Sequence, residues 1–286
     1  MKKNFLIIIF FVLLAGSLVY FTESLKFPTE QNTTTPFTII LSPHLDDAVL
    51  SLGGLIAKKE TNILVATFFT KKPTEIMHTY WDKISGFKDS DEAMLARTKE
   101  NENALSPFKV IIKNYDHLDS QYREKNKDKE IEEKISKDIE NLIKTYQNRE
   151  LLIYGPATFG AAITHPDHQI IHDAFMDVFK KYKTQNAHFF IYEDFPYIKQ
   201  FTTSSLGDLN TYLEKKENVK FQENPIELSE PMLSEKIVAI EKYKSQVRAF
   251  LSLDSNIGII DEKFSKDRCR IFMPQAYACE VIHSLP

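Results

Sequence analysis

Cysteine is scarce in this sequence, which contains only Cys269 and Cys279 among its 286 residues. Neither cysteine belongs to a CxxC pair, so a zinc ribbon is excluded. Their closeness near the C-terminus leaves two states open, a disulfide bridge or two separate buried thiols. The chain also lacks a repeat of the period that builds a solenoid, which favours a single globular domain.

Basic segments interleaved with aromatic residues are absent as well. The net charge is −4, from 36 basic and 40 acidic residues, and this balance gives no surface suited to a phosphate backbone. We therefore do not expect nucleic acid as a partner. A content of 43% hydrophobic and 27% charged residues predicts one substantial core rather than a disordered or fibrous chain.

The N-terminal segment differs from the rest of the sequence. Lys2 and Lys3 precede an uncharged apolar run at residues 5–21, which is longer than the signal-peptide core of about 7–15 residues and just reaches the roughly 17–25 that span a bilayer. No pair of small residues marks a cleavage site. We expect an uncleaved signal anchor with an extracytoplasmic domain, or a secreted protein if the segment is removed. Polar residues 22–36 are then a linker to a domain at residues 37–286.

Apolar runs alternate with segments of helical periodicity after residue 36. Predicted strands cover residues 37–41, 62–70, 108–112, 151–154 and 188–192, and predicted helices cover residues 47–59, 91–105, 129–146, 165–181 and 234–250. The alternation predicts an α/β fold, a Rossmann-like and mainly parallel sheet with helices on both faces. Ligands of such folds bind at the carboxyl ends of the strands.

Two clusters of histidine and aspartate follow predicted strands. The first is His44-Leu45-Asp46-Asp47, after the first strand, and the second is His165-Pro166-Asp167-His168, at the start of the helix after the fourth strand. Either Asp46 or Asp47 by itself is explained by a helix N-cap, but a cap does not explain His44. His172, one turn beyond the second cluster, is expected to support the site or to lie on the surface.

The two clusters together suit a catalytic zinc ion, which takes about three His and carboxylate ligands and keeps one position open. His44, one of the two aspartates and one of the two histidines supply that set. The remaining aspartate could act as general base and then as acid toward a leaving amine. The remaining histidine, held charged by a carboxylate such as Asp167, could stabilise an oxyanion.

The sequence resembles the PIG-L/LmbE family of zinc-dependent N-acetylglucosaminyl deacetylases. The resemblance covers roughly residues 37–250. It rests on the motifs SPHLDDAVLS with Gly53-Gly54, Arg97-x-x-Glu100 with Ala104-Leu105, Leu118-Asp119 with Tyr122-Arg123, Gly160 ahead of HPDH, YEDFPY at residues 192–197, and Lys236 with Tyr243 and Ser245-Gln246.

The resemblance implies a role for each matching residue. His44, Asp47 and His168 would bind Zn²⁺, Asp46 would be the general base, and His165 would be the electrophilic imidazole with Asp167 as its partner. Arg97 would contact the substrate. Tyr122, Arg123 and Glu193 would contact it as part of the cleft wall, with buried hydrogen-bonded scaffold as the alternative, and scaffold is the role expected of Asp194. For Arg97 the alternative is a surface ion pair with Glu100 or a neighbour.

The expected activity is hydrolysis of the acetamide of an N-acetyl amino sugar in a glycolipid or other glycoconjugate, which a membrane-held enzyme would meet. The apolar residues 159–163 also motivate the hypothesis that longer acyl groups are removed. Two rival readings remain. One is a non-catalytic, membrane-tethered sugar-binding module; the other is an iron oxygenase, because His44-x-Asp46 with a distant histidine has the form of a facial triad.

Overall fold

The computed structural model describes residues 35–286 except residues 60, 61, 161, 183–185, 203–207, 254–264, 268, 271, 272 and 274. The predicted signal anchor and nearly all of the predicted linker lie outside the described residues. No helix in the described part of the chain is both long enough and apolar enough to cross a bilayer.

One mixed sheet forms the centre of the domain. Its strands are β1 (Phe37–Ser42), β2 (Asn62–Thr67), β3 (Ile111–Asn114), β4 (Leu151–Pro156), β5 (Ala187–Tyr192), β6 (Gln222–Leu228) and β7 (Ala278–Ser284). They lie in the order β3-β2-β1-β4-β5-β7-β6. Strands β1 to β5 are parallel, whereas β7 runs antiparallel to both β5 and β6. The mainly parallel α/β sheet predicted from the sequence is confirmed.

Helices connect the strands. They are α1 (Asp47–Ala57), α2 (Tyr80–Ser85), α3 (Ser90–Leu105), α4 (Asp128–Tyr146), α5 (Pro166–Tyr182), α6 (Tyr197–Thr202), α7 (Leu209–Glu217), α8 (Glu230–Ile240) and α9 (Lys244–Leu253). Strands β1 and β4 are buried along almost their whole length. Helix α4 buries the five apolar residues that its periodicity predicts, Ile131, Ile135, Ile139, Leu142 and Ile143, and leaves its charged face in solvent.

Three sequence predictions need correction. The third strand begins at Ile111 rather than at residue 108, because the chain first makes a short 3-10 turn, Ser106–Phe108, and passes through Lys109 with a positive φ of 53°. The single helix predicted at residues 234–250 is two helices, α8 and α9. The prediction also lacked strands β6 and β7, whose mixed polar and apolar residues show no clear period.

The two cysteines, for which the sequence left two states open, are not joined by a disulfide; both are buried thiols in one small apolar cluster with Val281.

The buried carboxylate of Glu280 joins strand β7 to helices α1 and α8. Glu280 on β7 accepts hydrogen bonds from the backbone N–H groups of Gly54 (2.7 Å) and Leu55 (2.8 Å) and from Lys236 Nζ (2.8 Å). A Cβ at Gly54 would lie 2.5 Å from Leu228 Cδ1. The close approach of α1 to this edge of the sheet therefore requires glycine at position 54.

The close approach predicts that Gly54→Ala destabilises the protein. Overpacking against buried Leu228 costs about 1–3 kcal/mol, and the better helix propensity of alanine recovers at most about 1 kcal/mol. We expect a lower Tm in thermal unfolding. Gly53→Ala is expected to lower the Tm as well, because its new Cβ would lie 2.7 Å from Cγ of the buried Lys236. Equal Tm values for Gly54→Ala and the unmodified protein would contradict this packing argument.

Candidate active site

The two histidine-aspartate clusters meet at the point where the strand order reverses. From β1 the chain builds outward through β2 and β3, and it then returns to place β4 on the other side of β1. The loops after β1 and β4 leave the same edge of the sheet in opposite directions and open a crevice between them. His44, Asp46 and Asp47 come from the first loop and the start of α1, and His165 and His168 come from the second loop and α5.

Three donor atoms form a nearly equilateral triangle in this crevice. His44 Nδ1 lies 3.2 Å from His168 Nε2 and 3.3 Å from Asp47 Oδ2, and His168 Nε2 lies 3.2 Å from Asp47 Oδ2. Tetrahedral ligands about 2.0–2.1 Å from a zinc ion stand about 3.3 Å from one another. The donor types and their spacing therefore fit Zn²⁺, and all three residues are buried.

A carboxylate supports each of the two histidines from behind. His44 Nε2 donates to Asp167 Oδ2 at 2.9 Å, and His168 Nδ1 donates to Asp194 Oδ2 at 2.5 Å. Each bond occupies the ring nitrogen that lies away from the triangle. The facing nitrogen is then left as the unprotonated ligand, which is the usual arrangement behind metal-binding histidines. Asp194 thus has the scaffold role that the sequence suggested.

The charge of the crevice also suits a cation. Burial by itself lowers the pKa of His44, but the carboxylates of Asp119, Asp167 and Asp47 raise it to about 10. The pKa of His168 is likewise raised well above its ordinary value by Asp194 and Asp47, against the effect of burial. The carboxylates thus stabilise positive charge at the triangle, and a divalent ion would supply it.

Asp46 is the N-cap residue of α1 by position, but its side chain makes no capping hydrogen bond. The capping explanation of this residue is therefore wrong. The side chain of Asp47 does not cap the helix either: its Oδ2 accepts a hydrogen bond from the backbone N–H of His44 at 2.7 Å. Burial and the neighbouring Asp47 raise the pKa of Asp46 to about 6, although Arg97 and His44 lower it. Asp46 lines the cavity beside the triangle and is not one of its three donors.

Asp167 does not hold His165 in its charged form, as the sequence suggested. Its Oδ1 pairs with Arg123, and its Oδ2 accepts from Ser120 N (2.9 Å) and from His44, while His165 Nδ1 lies 3.8 Å away. Burial and the nearby His44 lower the pKa of His165 to about 4. His165 is therefore a neutral imidazole in this structure, and Asp167 orients His44.

Arg97 is buried, so the surface ion pair considered from the sequence is wrong. Its guanidinium lies 3.5 Å from Asp119 and 4.0 Å from Asp46 and lines the cavity. Glu100 instead accepts hydrogen bonds from Ser245 on α9. Arg97 therefore stands where a substrate could reach it, as predicted.

The other three predicted substrate contacts are not among the residues that line the cavity. Tyr122 donates to Asp82 on α2 at 2.7 Å, because its ring turns back into the protein. Arg123 is occupied by Asp167, Asp128 and the carbonyl of Leu118. Glu193 lies in the same small cluster as His283 of β7. The structure gives these three side chains supporting positions instead.

The structure also corrects the expectations for His172 and for the apolar residue Phe159. His172 is fully buried, with Nδ1 donating to Pro156 O at 2.8 Å and Nε2 3.2 Å from Glu217, so it is not a surface residue. Phe159 is also buried, and it packs against Phe201 with ring centroids 5.2 Å apart. It is therefore not part of the cavity wall, and it gives no support for longer acyl substrates.

The cavity next to the triangle has a volume of about 260 Å³. Besides the residues above, its wall contains Asp119, Trp81 and Gln246, which sequence reasoning did not assign to the site. Asp119 could have been found, because it follows the carboxyl end of β3 at the same edge of the sheet. Trp81 carried no such signal, since it lies in a short helix outside the strand-helix alternation.

Comparison with known proteins agrees with this geometry. Residues 39–179 match the model of the PIG-L family, described as GlcNAc-PI de-N-acetylase. The chain contains a PIG-L family domain. The resemblance seen in the sequence is thereby confirmed, and with it the prediction of a metal-dependent amidohydrolase whose donors fit zinc. No curated protein matches the chain by sequence.

Solved structures share the fold. A deacetylase of teicoplanin biosynthesis, solved as a complex with bog, is 25% identical with a TM-score of 0.69, covering 87% of this chain and 98% of its own. The N,N'-diacetylchitobiose deacetylase of Pyrococcus horikoshii is 14% identical with a TM-score of 0.55, and the match covers 88% of this chain and 84% of the deacetylase. A 4-carboxy-2-hydroxymuconate hydratase of Pseudomonas putida is 11% identical with a TM-score of 0.52, and the match covers 87% of this chain and 95% of the hydratase. The hydratase shows that this fold also carries other reactions.

Because Asp194 holds the ring of His168 in place, we expect the substitution Asp194→Asn to weaken zinc binding. The amide keeps the shape but loses the charge that orients His168, and loss of such a partner lowers metal affinity by about 10–100-fold. Competition with a chromogenic chelator measures the affinity. Asp138→Asn is the control, because Asp138 pairs with His117 at 2.8 Å in the same way but neither residue belongs to the triangle. Unchanged zinc affinity in Asp194→Asn would refute the orienting role.

Proposed function

We propose that this protein is a zinc-dependent N-deacetylase that hydrolyses the acetamide of an N-acetyl amino sugar in a glycolipid or other glycoconjugate. The observation that carries the proposal is the triangle of His44, Asp47 and His168 with Asp46 beside it in the cavity wall. Three ligands with an unused carboxylate next to them are what metal-assisted amide hydrolysis needs.

In this proposal His44, Asp47 and His168 hold the zinc ion. When bound, zinc supplies Lewis acidity, which polarises an amide carbonyl and lowers the pKa of a water molecule. Asp46 takes a proton from the attacking water and later gives it to the nitrogen of the leaving amine. Its pKa, raised to about 6, suits both transfers near neutral pH.

The remaining side chains act on the substrate. His165 lines the cavity as a neutral imidazole and, in our proposal, donates a hydrogen bond to the oxygen of the tetrahedral intermediate. Arg97, held by Asp119 and Asp46, binds sugar hydroxyl or phosphate oxygens. Asp167 is a positioning residue, because it acts through His44. The relatives named above as deacetylases of teicoplanin biosynthesis and of diacetylchitobiose support the substrate class.

Two other functions are less well supported. A non-catalytic sugar-binding module needs neither Asp46 nor His165 in the cavity, yet both are there. A facial-triad iron oxygenase would use Asp46 as its carboxylate ligand, whereas the carboxylate close to both His44 and His168 is that of Asp47. Such oxygenases are also built on β-sandwich barrels rather than on this α/β sheet.

For the cellular setting, we propose that the domain lies outside the cytoplasm, tethered by the apolar residues 5–21, or is secreted if that segment is cleaved. The support is in the sequence, which places Lys2 and Lys3 before the apolar run and a polar linker after it. A tethered enzyme would meet lipid-linked or envelope-linked sugars.

The assignment of Asp46 predicts that Asp46→Asn keeps its zinc content but loses kcat by about 10²–10⁴-fold, the usual contribution of a general base. Release of amine and acetate from an N-acetylglucosaminide measures the rate, and elemental analysis measures zinc. Asp116→Asn is the control, because this exposed carboxylate pairs with Lys71 outside the cavity. Hydrolysis at the unmodified rate by Asp46→Asn would exclude the role of this residue. Absence of hydrolysis by the unmodified zinc-loaded protein would favour the binding module.

A further inference from the structure

The cavity has an apolar side as well as a charged one. Trp81 on α2 and Phe250 on α9 contact each other in a T-shaped arrangement, with ring centroids 5.4 Å apart and planes at 78°. Both line the cavity together with Leu253 at the end of α9. His44, Asp46 and Asp47 line the same cavity, so a molecule bound at the metal donors would meet this aromatic wall.

The indole ring of Trp81 is held by a chain of hydrogen bonds. Its Nε1–H donates to Gln246 Oε1 at 3.1 Å, and Gln246 Nε2 donates to Ser245 Oγ at 3.0 Å. Ser245 Oγ in turn donates to Glu100 Oε2 at 2.6 Å. Gln246 and Ser245 are 2% and 5% exposed, so the middle of this chain is buried, and the chain connects helices α2, α9 and α3. A buried and satisfied polar chain of this kind fixes the plane of the ring.

The polar groups around the wall indicate what would bind there. Arg97, Asp119 and Gln121 also line the cavity, and Arg97 Nε has no hydrogen-bond partner among the described residues. A purely apolar group would leave these polar atoms desolvated without partners. A pyranose ring matches both sides, because one of its faces presents C–H groups and its rim presents hydroxyls. Pockets of this kind combine an apolar wall with a few placed polar groups.

We infer that Trp81 stacks on the apolar face of the substrate's pyranose ring and that Gln246 is the positioning residue that sets the plane of the indole. The inference rests on the proposed function and specifies which part of the substrate this wall recognises. It also assigns the acetamide to the side of the cavity where the metal donors lie, because the sugar ring lies against the opposite, aromatic side.

Trp81 is the single tryptophan of the chain, so its fluorescence reports binding directly. We expect zinc-loaded Asp46→Asn protein to show a saturable change in emission when titrated with methyl N-acetylglucosaminide. N-acetylethanolamine, which has the acetamide but no ring, should give no change. An equal response to N-acetylethanolamine, or a response to hexanol but none to the glycoside, would overturn the inference.

Kinetics supply the second readout. Trp81→Ala should raise KM for the glycoside by about tenfold with a smaller change in kcat, since stacking contributes on the order of one factor of ten. Hydrolysis of N-acetylethanolamine, which has no ring to stack on Trp81, should be affected less than hydrolysis of the glycoside. Tyr80→Ala is the matched control, because this neighbouring aromatic residue of α2 is 69% exposed and is not part of the cavity wall. Gln246→Leu should raise KM to a smaller extent and lower the fluorescence anisotropy of Trp81.

The two proposals fail in different ways. If the unmodified protein hydrolyses the glycoside while Trp81→Ala behaves like Tyr80→Ala, the stacking role is overturned and the deacetylase stands. If no amide is hydrolysed but the emission of Trp81 still responds to the sugar, the stacking role stands and the catalytic proposal fails. Emission that does not respond to any N-acetyl sugar overturns the inference, whatever the activity.

Discussion

The arrangement of the whole site depends on one electrostatic constraint, the concentration of buried carboxylates around two imidazoles at the edge of the sheet. Asp46, Asp47, Asp119, Asp167 and Asp194 are all buried there. Carboxylates this close together repel one another unless positive charge lies between them. The carboxylates raise the pKa of both His44 and His168 and so favour positive charge there, and a divalent ion bound by His44, Asp47 and His168 would supply it.

The fold brings these groups together and keeps them in place. Reversal of the strand order at β1 and β4 opens the crevice, and the start of α1 places Asp46 and Asp47 on its floor. Glu280 fastens α1 to strand β7, Lys236 fastens it to helix α8, and Gly54 permits the close approach of α1 to β6. The supporting carboxylates come from other elements, Asp167 from α5 and Asp194 from the segment after β5. The orientation of each histidine therefore depends on contacts between distant parts of the chain.

Helices α2 and α9 add the second half of the site. They carry Trp81, Phe250 and Gln246, and a hydrogen-bond chain to Glu100 on α3 holds them together. The donor triangle is built from the two motifs that the strand-helix units present, whereas this wall is built from helices outside that regular alternation. In our proposals, chemistry and substrate recognition are thus carried by different parts of the same domain.

The sequence by itself determined the fold class and predicted the set of metal donors. Strands β1 and β4 and helices α1 and α5 have clear periodicity, and His44, Asp47 and His168 lie at their junctions, where parallel strands present ligands. Only the tertiary structure decided which carboxylate supports which histidine, that Arg97 faces Asp119 rather than Glu100, and that Trp81 lines the cavity. Strands β6 and β7 were also missed. The physical reason is that local propensity and periodicity act over a few residues, whereas these contacts join side chains that packing brings together from tens to more than a hundred residues apart.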